Sequence, residues 1–474
     1  MVVWSPYQKL QVTPLRWRPI EGEYHIAVNG VNYMMLLDLS DRVLPRLPGP
    51  PTPTERQFSH YDIPYVFKPG AKDVLIVGAG GGNDVAGALR NGAERVVAVE
   101  IDSGIYSLGL KLHPKAPYAN PKARVVINDA RSFFKTARDQ FDVIAFGLLD
   151  SHTLGSALTN TRIDHYVYTL ESFREARTLL KPDGVLTVAF ETPRPWVRER
   201  IRGMLQQAFG EEPFVFENRD LRFGWGGEMF VIGNDMEGLR ARVALDEMLA
   251  TFIATHAIPA GQPVRLTTDD WPYLYLESPR VPTLHLILSG LLLGLFGFIR
   301  RWLFPPSQRV NRHFFFLGAA FLLLEFQNIS KTSLLFGSTW FVNALTISAI
   351  LVLILLANLV VARWKAINLR WVYAGLLGSV VLLWVLPPHA FNALPFAGRA
   401  VASGILLNLP IFFAGIVFAY SFSRTRRTDV AFGSNLLGAG LGGVLESLSF
   451  LTGIRSLLLL VALLYAASWA CASD

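Results

Sequence analysis

Cysteine is nearly absent from this chain, and its absence excludes several kinds of site. The only cysteine among the 474 residues is Cys471, so neither an intrachain disulfide nor a cysteine-ligated metal centre can form. We expect no metal site. The N-terminal segment contains no basic stretch followed by an apolar run, so no secretory signal peptide is evident there.

The part of the chain that precedes position 281 also lacks an excess of basic charge. It carries 31 Lys and Arg against 33 Asp and Glu, whereas residues 281–474 carry 13 against 4. The basic charge therefore flanks the apolar segments of the second part and does not form a nucleic-acid surface on the first. We expect no nucleic-acid partner.

Composition and turn signals divide the chain into three regions. Residues 1–50 form a β-rich lead-in, in which Asn29-Gly30 tolerates the positive φ angles of a type I′ hairpin turn. Residues 51–280 form a predicted cofactor-binding domain. Residues 281–474 form a predicted all-α polytopic membrane bundle of about six or seven helices.

Strands alternate with helices within residues 51–280. Short apolar runs rich in β-branched residues are typical of buried parallel strands, and here they cover residues 74–77, 95–99, 123–127, 141–146 and 185–190. A loop at residues 180–184 precedes the last of these runs. Residues 214–217 and 228–232 are predicted to add an antiparallel pair at the edge. The fold class is an α/β doubly wound sheet of the Rossmann-like methyltransferase type.

Long apolar segments dominate the chain after residue 281. Six of them are predicted to cross a bilayer, at residues 314–336, 340–362, 371–386, 400–422, 430–451 and 454–471. Arginine-rich loops alternate with arginine-poor ones, which predicts an inner (cell) membrane protein whose rich loops and cofactor domain face the cytoplasm. A seventh stretch, residues 284–299, is short for a crossing, and we predict that it lies interfacially or re-enters the same face. The lipid bilayer is therefore a predicted partner.

A glycine-rich turn follows the first predicted strand. Gly78, Gly80 and Gly82 match G-x-G-x-G, and Asn83 stands where the strict dinucleotide motif has its last glycine. Such glycines let the backbone approach a ligand at a helix N-terminus, although structural turns of this kind are equally common. Glu100 follows at the end of the second predicted strand, where a carboxylate can accept hydrogen bonds from both ribose hydroxyls.

Acidic residues also end the third and fourth strands. Asp129 and Ala130 follow the third strand and are suited to an adenine amino group. Asp150 ends the fourth strand, where it faces the expected reaction centre. These residues and the glycine turn together predict a nucleoside-binding site.

The segments resemble the bacterial multi-pass membrane members of the spermidine-synthase-like branch of the S-adenosylmethionine-dependent methyltransferase fold. The resemblance rests on the glycine turn and on residues 5–8, 57–65, 99–102, 128–131, 148–152, 166–173, 268–275, 321–325, 335–340 and 435–438. It implies S-adenosylmethionine or its decarboxylated form as cofactor. Glu100 would then bind the ribose, Asp129 the adenine, and Asp102 would belong to the same cofactor-binding set.

The resemblance also implies a catalytic role for Asp150. It corresponds to the first aspartate of the D-x-x-D-P segment that deprotonates the attacking amine in aminopropyltransferases. Here the second aspartate and the proline are missing, and Gly82-Asn83 replaces the acidic residue usual in the glycine turn. His152 is a second candidate base, unless it only hydrogen-bonds its own loop. The candidate substrate-side residues are Tyr7, Gln8, Gln57, His60 and Tyr61. For Tyr61, packing is the alternative role.

Polar residues inside the predicted membrane segments are costly to insert. Glu325, Asn328 and Lys331 share one span, and Glu446 lies late in another. They either pair between helices and lock the bundle, or they line a polar cavity for a substrate head group or a proton.

The sequence therefore predicts a membrane-anchored group transferase. It would use S-adenosylmethionine or decarboxylated S-adenosylmethionine and transfer an aminopropyl or methyl group to an amine, a small-molecule acceptor or a lipid-like acceptor. The alternative is a transporter or sensor whose nucleoside-binding domain is regulatory. A membrane protein partner that supplies further helices is also expected. A nicotinamide oxidoreductase is disfavoured because the glycine spacing fits poorly.

Overall fold

The structure is a computed structural model that describes residues 1–18, 20–47, 53–149, 164–192, 194–303, 309–364, 366–386, 390–391 and 394–472. The described residues fall into two units, one ending at Glu277 and the other beginning at Ser278. Each unit has its own buried side chains.

The first unit begins with a small antiparallel sheet of four described strands in the order β1-β2-β3-β4. They are β1 (Val2–Trp4), β2 (Lys9–Pro14), β3 (Tyr24–Val28) and β4 (Val31–Leu36). The turn between β3 and β4 has positive φ at Asn29 (51°) and Gly30 (87°), so the predicted hairpin is confirmed. Apolar residues of this sheet pack against Ile105 and Leu108 of helix α4 (Ser103–Leu112).

The described strands that follow form a seven-stranded sheet in the order β10-β11-β9-β8-β5-β6-β7. They are β5 (Asp73–Val77), β6 (Arg95–Glu100), β7 (Ala123–Ile127), β8 (Phe141–Phe146), β9 (Leu180–Phe190), β10 (Phe214–Asn218) and β11 (Gly227–Gly233). Strands β5 to β9 are parallel, and β10 and β11 are antiparallel at the edge. The predicted doubly wound sheet and its edge pair are confirmed.

Helices cover the sheet because its central strands are buried on both faces. Residues Val74 to Val77 of β5 are each 0% exposed. The remaining helices of this unit are α1 (Pro53–Gln57), α2 (Ile63–Phe67), α3 (Asn83–Arg90), α5 (Ala130–Thr136), α6 (Leu170–Thr178), α7 (Pro195–Phe209), α8 (Met236–Leu245) and α9 (Glu247–His256). Strand order reverses between β5 and β8, and in such sheets ligands bind at the carboxyl ends of the strands beside that point.

The predicted loop at residues 180–184 is instead the first part of β9. Leu180 pairs with Phe141, and the next pair joins Val185 to Val143, so the strand carries an irregularity between these two pairs. The prediction of a loop was wrong because Pro182 and Gly184 interrupt the pairing without ending the strand.

The second unit is helical. Its helices are α10 (Thr283–Leu303), α11 (Arg312–Phe336), α12 (Trp340–Arg363), α13 (Leu369–Val385), α14 (Phe396–Arg424), α15 (Thr428–Leu445), α16 (Ser449–Thr452) and α17 (Leu457–Ala470). Helices α11 and α15 pack with their backbones in contact. A Cβ atom on Gly438 would lie 1.9 Å from the Phe315 carbonyl oxygen, and one on Gly318 would lie 2.1 Å from that of Asn435.

The number of membrane spans, six in the sequence analysis, stays a prediction. Within the described part of the chain, three are long and apolar enough, at Arg312–Phe336, Trp340–Arg363 and Gly398–Arg424. Helices α13 and α17, of 17 and 14 residues, are apolar but shorter, and so is Thr283–Ile299. Length and composition thus support three of the predicted spans, at α11, α12 and α14.

Candidate active site

A pocket of about 720 Å³ opens at the carboxyl ends of β5, β6 and β7 in the first unit. Its lining combines backbone of the glycine turn with carboxylates and apolar side chains. The lining residues are Tyr7, Gln8, Tyr33, Met34, Gly78, Gly80, Val99, Glu100, Ile101, Asp102, Ile105, Asn128, Asp129, Ala130, Leu148, Leu149, Asp164 and Val167. We call it the donor pocket, after the group-donating cofactor that the sequence resemblance implies.

The glycine turn shapes one wall of the donor pocket. Gly78 has φ of 70°, and a Cβ atom there would lie 1.4 Å from Leu149 Cδ2. Glycine is therefore required at this position for both backbone conformation and space. The Tyr118 hydroxyl stabilises the turn by donating hydrogen bonds to the carbonyl oxygens of Gly80 (2.7 Å) and Ala79 (3.1 Å).

Glu100 lies at the end of β6, and the backbone holds it in place. Its Oε2 accepts from the Gly80 N–H and its Oε1 from the Asp102 N–H, each at 2.8 Å. Burial raises the pKa of its carboxyl to about 7. Each carboxylate oxygen accepts more than one hydrogen bond, so Glu100 can also accept hydroxyl donors from the pocket.

Asp102 and Asp129 line the pocket and also cap helices. Asp102 Oδ1 accepts from the Gly104 N–H at the start of α4, and its Oδ2 accepts from Ser5 Oγ (2.7 Å) and Gln8 Nε2 (3.1 Å). Asp129 Oδ1 accepts from the Arg131 and Ser132 N–H groups at the start of α5. Asp102 thus joins the N-terminal sheet to the cofactor side of the large sheet.

Asn83 lies at the start of α3, but its side chain holds the fold together. Its Nδ2 donates to the Met35 carbonyl oxygen (2.8 Å) and the Tyr61 hydroxyl (2.9 Å). Its Oδ1 accepts from the Leu37 N–H (3.1 Å) and lies 3.0 Å from His113 Nε2. Burial lowers the pKa of His113 to about 3, so its imidazole is neutral at pH 7.

A second pocket, of about 490 Å³, lies on the other side of the glycine turn. It shares Tyr33, Met34, Gly78, Gly80 and Leu148 with the donor pocket. Its other lining residues are Met35, His60, Tyr61, Ala79, Gly81, Asn83, Asp84 and Trp225. Since the two pockets share the turn, ligands in both would meet beside Gly78 and Gly80.

The sequence interpretation missed two acidic residues of these pockets. Asp84 is the second residue of α3 and lines the second pocket. Asp164 lines the donor pocket, and its Oδ2 accepts from the Tyr275 hydroxyl at 2.6 Å. The sequence signal for Asp84 was its position directly after the glycine turn, but acidic residues are common in the first turn of any helix.

Some predicted site residues are not brought to the pockets. Gln57 ends α1, and its Nε2 lies 3.2 Å from the Met248 sulfur, while Gly82 lines neither pocket. Asp150 and His152 lie outside the described residues. Among the residues described, no group of three or more His, Cys, Asp or Glu side chains could hold a metal ion.

Part of this unit is similar to a known domain family. Residues 58–214 match the family model for the spermine/spermidine synthase domain. The chain contains a spermidine-synthase-like domain. This domain includes the glycine turn, Glu100, Asp129 and most of the large sheet.

Curated relatives and solved structures are also similar to part of the chain. A polyamine aminopropyltransferase of Nitrosomonas europaea is 29% identical over 154 residues, or 31% of this chain and 45% of that protein. One of Pyrobaculum calidifontis is 33% identical over 125 residues, or 25% and 41%. The chain thus spans less than half the length of these relatives. A spermidine synthase structure from Thermotoga maritima is 17% identical, with a TM-score of 0.39 over 54% of this chain and 84% of that one.

The polar candidates of the helical unit lie mainly between helices. Asn328 Nδ2 on α11 donates to Asn408 Oδ1 on α14 (3.1 Å), and Lys331 Nζ donates to the Leu383 carbonyl oxygen on α13 (2.7 Å). Glu325 is half-buried, and Glu446 begins a 3₁₀ turn after α15.

Proposed function

We propose that this chain is a membrane-anchored group transferase that moves an aminopropyl group from decarboxylated S-adenosylmethionine to an amine. The observation that carries the proposal is the Glu100 carboxylate at the end of β6, fixed by the glycine turn inside a spermidine-synthase-like domain. The curated relatives are named polyamine aminopropyltransferases, which favours aminopropyl transfer over methyl transfer.

The residues of the donor pocket fit a nucleoside. Glu100 presents acceptor oxygens to ribose hydroxyls. Asn128 and Asp129 follow the next strand, β7, where they would form hydrogen bonds with polar groups of the base. The side chains of Ile105, Leu149 and Val167 supply apolar walls. When bound, the donor supplies an electrophilic carbon attached to a positively charged sulfur.

Charge in the donor pocket favours the decarboxylated donor. The described lining contains the carboxylates of Glu100, Asp102, Asp129 and Asp164 but no Lys or Arg. The carboxylate of S-adenosylmethionine itself would find no cation there, whereas the ammonium of an aminopropyl group would be attracted by Asp164. Methyl transfer from S-adenosylmethionine is therefore the less favourable alternative.

The proposed reaction is an in-line displacement. The lone pair of a neutral amine attacks the carbon next to the sulfonium, a C–N bond forms, and the C–S bond breaks with its electron pair left on sulfur as a thioether. The new ammonium then loses a proton to a base. The family resemblance assigns that base to Asp150, which stays a prediction because it lies outside the described residues.

The helical unit would anchor the enzyme in a membrane. Three of its described helices are long and apolar enough to cross one, and the arginine distribution favours a cytoplasmic cofactor domain. With the six spans predicted from the sequence, this orientation places Cys471, the only cysteine, at the cytoplasmic end of the last span. A membrane-impermeant maleimide should label Cys471 only after the inner membrane is permeabilised; labelling of intact spheroplasts would contradict the orientation.

A transfer assay on the detergent-purified full chain tests the activity. We would supply decarboxylated S-adenosylmethionine with 1,4-diaminobutane and measure methylthioadenosine by mass spectrometry, with S-adenosylmethionine and its methyl-transfer product S-adenosylhomocysteine in parallel. Glu100→Ala should abolish turnover, whereas Glu94→Ala on the exposed surface should not. Release of S-adenosylhomocysteine alone would make the protein a methyltransferase.

The transporter or sensor alternative predicts a different result. Asp150→Asn should remove turnover from an enzyme while leaving donor affinity unchanged. A protein that binds the donor but shows no turnover before or after this substitution would have a regulatory nucleoside site.

A further inference from the structure

The second pocket contains one carboxylate among its described lining residues, that of Asp84. Asp84 directly follows the glycine turn and lies in the first turn of α3. A Cβ atom on Gly147, just after β8, would lie 3.3 Å from Asp84 Oδ2 and 3.1 Å from the Gly78 carbonyl oxygen. The carboxylate is therefore located where the second pocket reaches the glycine turn and the end of β8, beside the donor pocket.

No described cation neutralises Asp84. The described part of the chain contains no Lys, Arg or His side chain in an ion pair with it, and the nearby Arg90 instead pairs with Asp62 at 2.7 Å. Burial, followed by the charge of Asp62, raises the pKa of Asp84 to about 7. A buried carboxylate without a counter-ion is costly to ionise, and a cationic ligand would reduce that cost.

Aromatic residues line the pocket that contains the carboxylate. Tyr33, Tyr61 and Trp225 line the same pocket, and burial together with the nearby Asp84 charge raises the pKa of the Tyr61 hydroxyl. Aromatic faces attract cations and cover alkyl chains. A carboxylate flanked by such rings complements an alkylammonium group and offers nothing to an anion.

We propose that Asp84 binds an ammonium group of the acceptor amine in the second pocket, and that it is the residue by which this protein selects cationic acceptors. This inference rests on the proposed group transfer, because the shared glycine turn places the acceptor beside the donor. Asp84 brings a carboxylate to the second pocket directly after Gly82 and Asn83.

Asp84→Asn tests the role of the charge while keeping the shape of the side chain. In full-length protein saturated with methylthioadenosine, calorimetry should show that Asp84→Asn weakens 1,4-diaminobutane binding at least tenfold. Methylthioadenosine affinity should change less than twofold, which shows that the variant is folded. Asp84→Glu, which keeps the charge, should recover part of the diamine affinity.

Glu237→Gln is the matched control. Glu237 is also the second residue of its helix, α8, and it is exposed, so this variant removes a carboxylate from the same helical position outside both pockets. It should leave diamine affinity unchanged. Equal diamine affinity in the wild-type protein and Asp84→Asn would overturn the inference.

The transfer assay separates this inference from the proposed function. If the wild-type protein transfers aminopropyl groups and Asp84→Asn has an unchanged KM for the diamine, the inference fails and the function stands. If Asp84-dependent diamine binding is measured but no transfer occurs with any donor, the function fails and the inference stands. A raised KM with active wild-type protein supports both.

Discussion

The Gly80 N–H donates to Glu100 Oε2 at 2.8 Å, and this hydrogen bond joins the glycine turn to the carboxylate that we propose as the ribose-binding group. The same carboxylate accepts the Asp102 N–H through its other oxygen. Two backbone donors thus fix the side chain before any ligand arrives. Such fixed geometry reduces the conformational entropy lost on binding.

Nucleoside binding should depend on pH through Glu100. Its carboxyl has a pKa of about 7 because it is buried, and ribose hydroxyls would donate to the ionised form and lower that pKa. Methylthioadenosine affinity should therefore rise as pH increases from 6 to 8, by up to about tenfold, with proton release on binding. Calorimetry in buffers of different ionisation enthalpy measures both effects.

The control for this pH dependence is the Glu100→Gln variant. It should bind more weakly and lose the pH dependence, whereas Asp84→Asn should keep it. If methylthioadenosine binding by Glu100→Gln still depends on pH, a group other than Glu100 causes the effect.

Gly78→Ala should be far more damaging than Gly92→Ala. Both residues have positive φ, 70° and 90°, but a Cβ atom on Gly92 meets nothing within 4 Å, whereas one on Gly78 meets Leu149. Gly92→Ala should cost only the backbone strain, about 1 kcal/mol. Gly78→Ala should in addition displace Leu149 into the donor pocket and abolish methylthioadenosine binding. Equal nucleoside affinity of the two variants would contradict this account of the turn.

Asn83→Ala should destabilise the first unit. The Asn83 side chain forms hydrogen bonds with Met35, Leu37, Tyr61 and His113. Loss of several partly buried hydrogen bonds should lower the free energy of unfolding by about 2–4 kcal/mol. Thermal unfolding in detergent should show a clearly lower midpoint. Asn120→Ala is the comparison, because the Asn120 side chain accepts the Lys122 N–H within a turn and joins no distant segments among the described residues. A similar midpoint for both variants would show that Asn83 does not join the two sheets.

Tyr118→Phe tests whether the Tyr118 hydroxyl stabilises the glycine turn. Removing the hydroxyl leaves the Gly80 and Ala79 carbonyl oxygens without this donor, which should cost about 1 kcal/mol of stability and weaken methylthioadenosine binding a few-fold. Tyr106→Phe, whose ring packs against Tyr118 at 5.1 Å, should change neither. Unchanged nucleoside affinity in Tyr118→Phe would show that the Tyr118 hydroxyl does not contribute to nucleoside binding.

The sequence allowed most of the sheet to be predicted because its strands are local apolar runs. Strands β7 and β8 match their predicted bounds, and β5 and β6 differ by one residue each. The start of β9 was missed because strand pairing with Phe141, a tertiary contact, continues past Pro182 and Gly184.

The second pocket could not be predicted from local patterns. Asp84 has the sequence context of an ordinary residue in a helical first turn. Its placement near Tyr61 and Gly147 depends on how α3 packs against two segments that are distant from it in sequence, one before the helix and one after it. The number of membrane-spanning helices stays a prediction, of which three described helices are long and apolar enough to cross a membrane.

Calorimetric titration of the detergent-purified full chain tests the central claim most directly. Decarboxylated S-adenosylmethionine, S-adenosylmethionine, methylthioadenosine and NAD would each be titrated into the wild-type protein and Glu100→Ala. The account predicts binding of the decarboxylated donor and methylthioadenosine, weaker binding of S-adenosylmethionine, none of NAD, and loss of binding in Glu100→Ala. Preference for NAD, or binding that survives in Glu100→Ala, would contradict it.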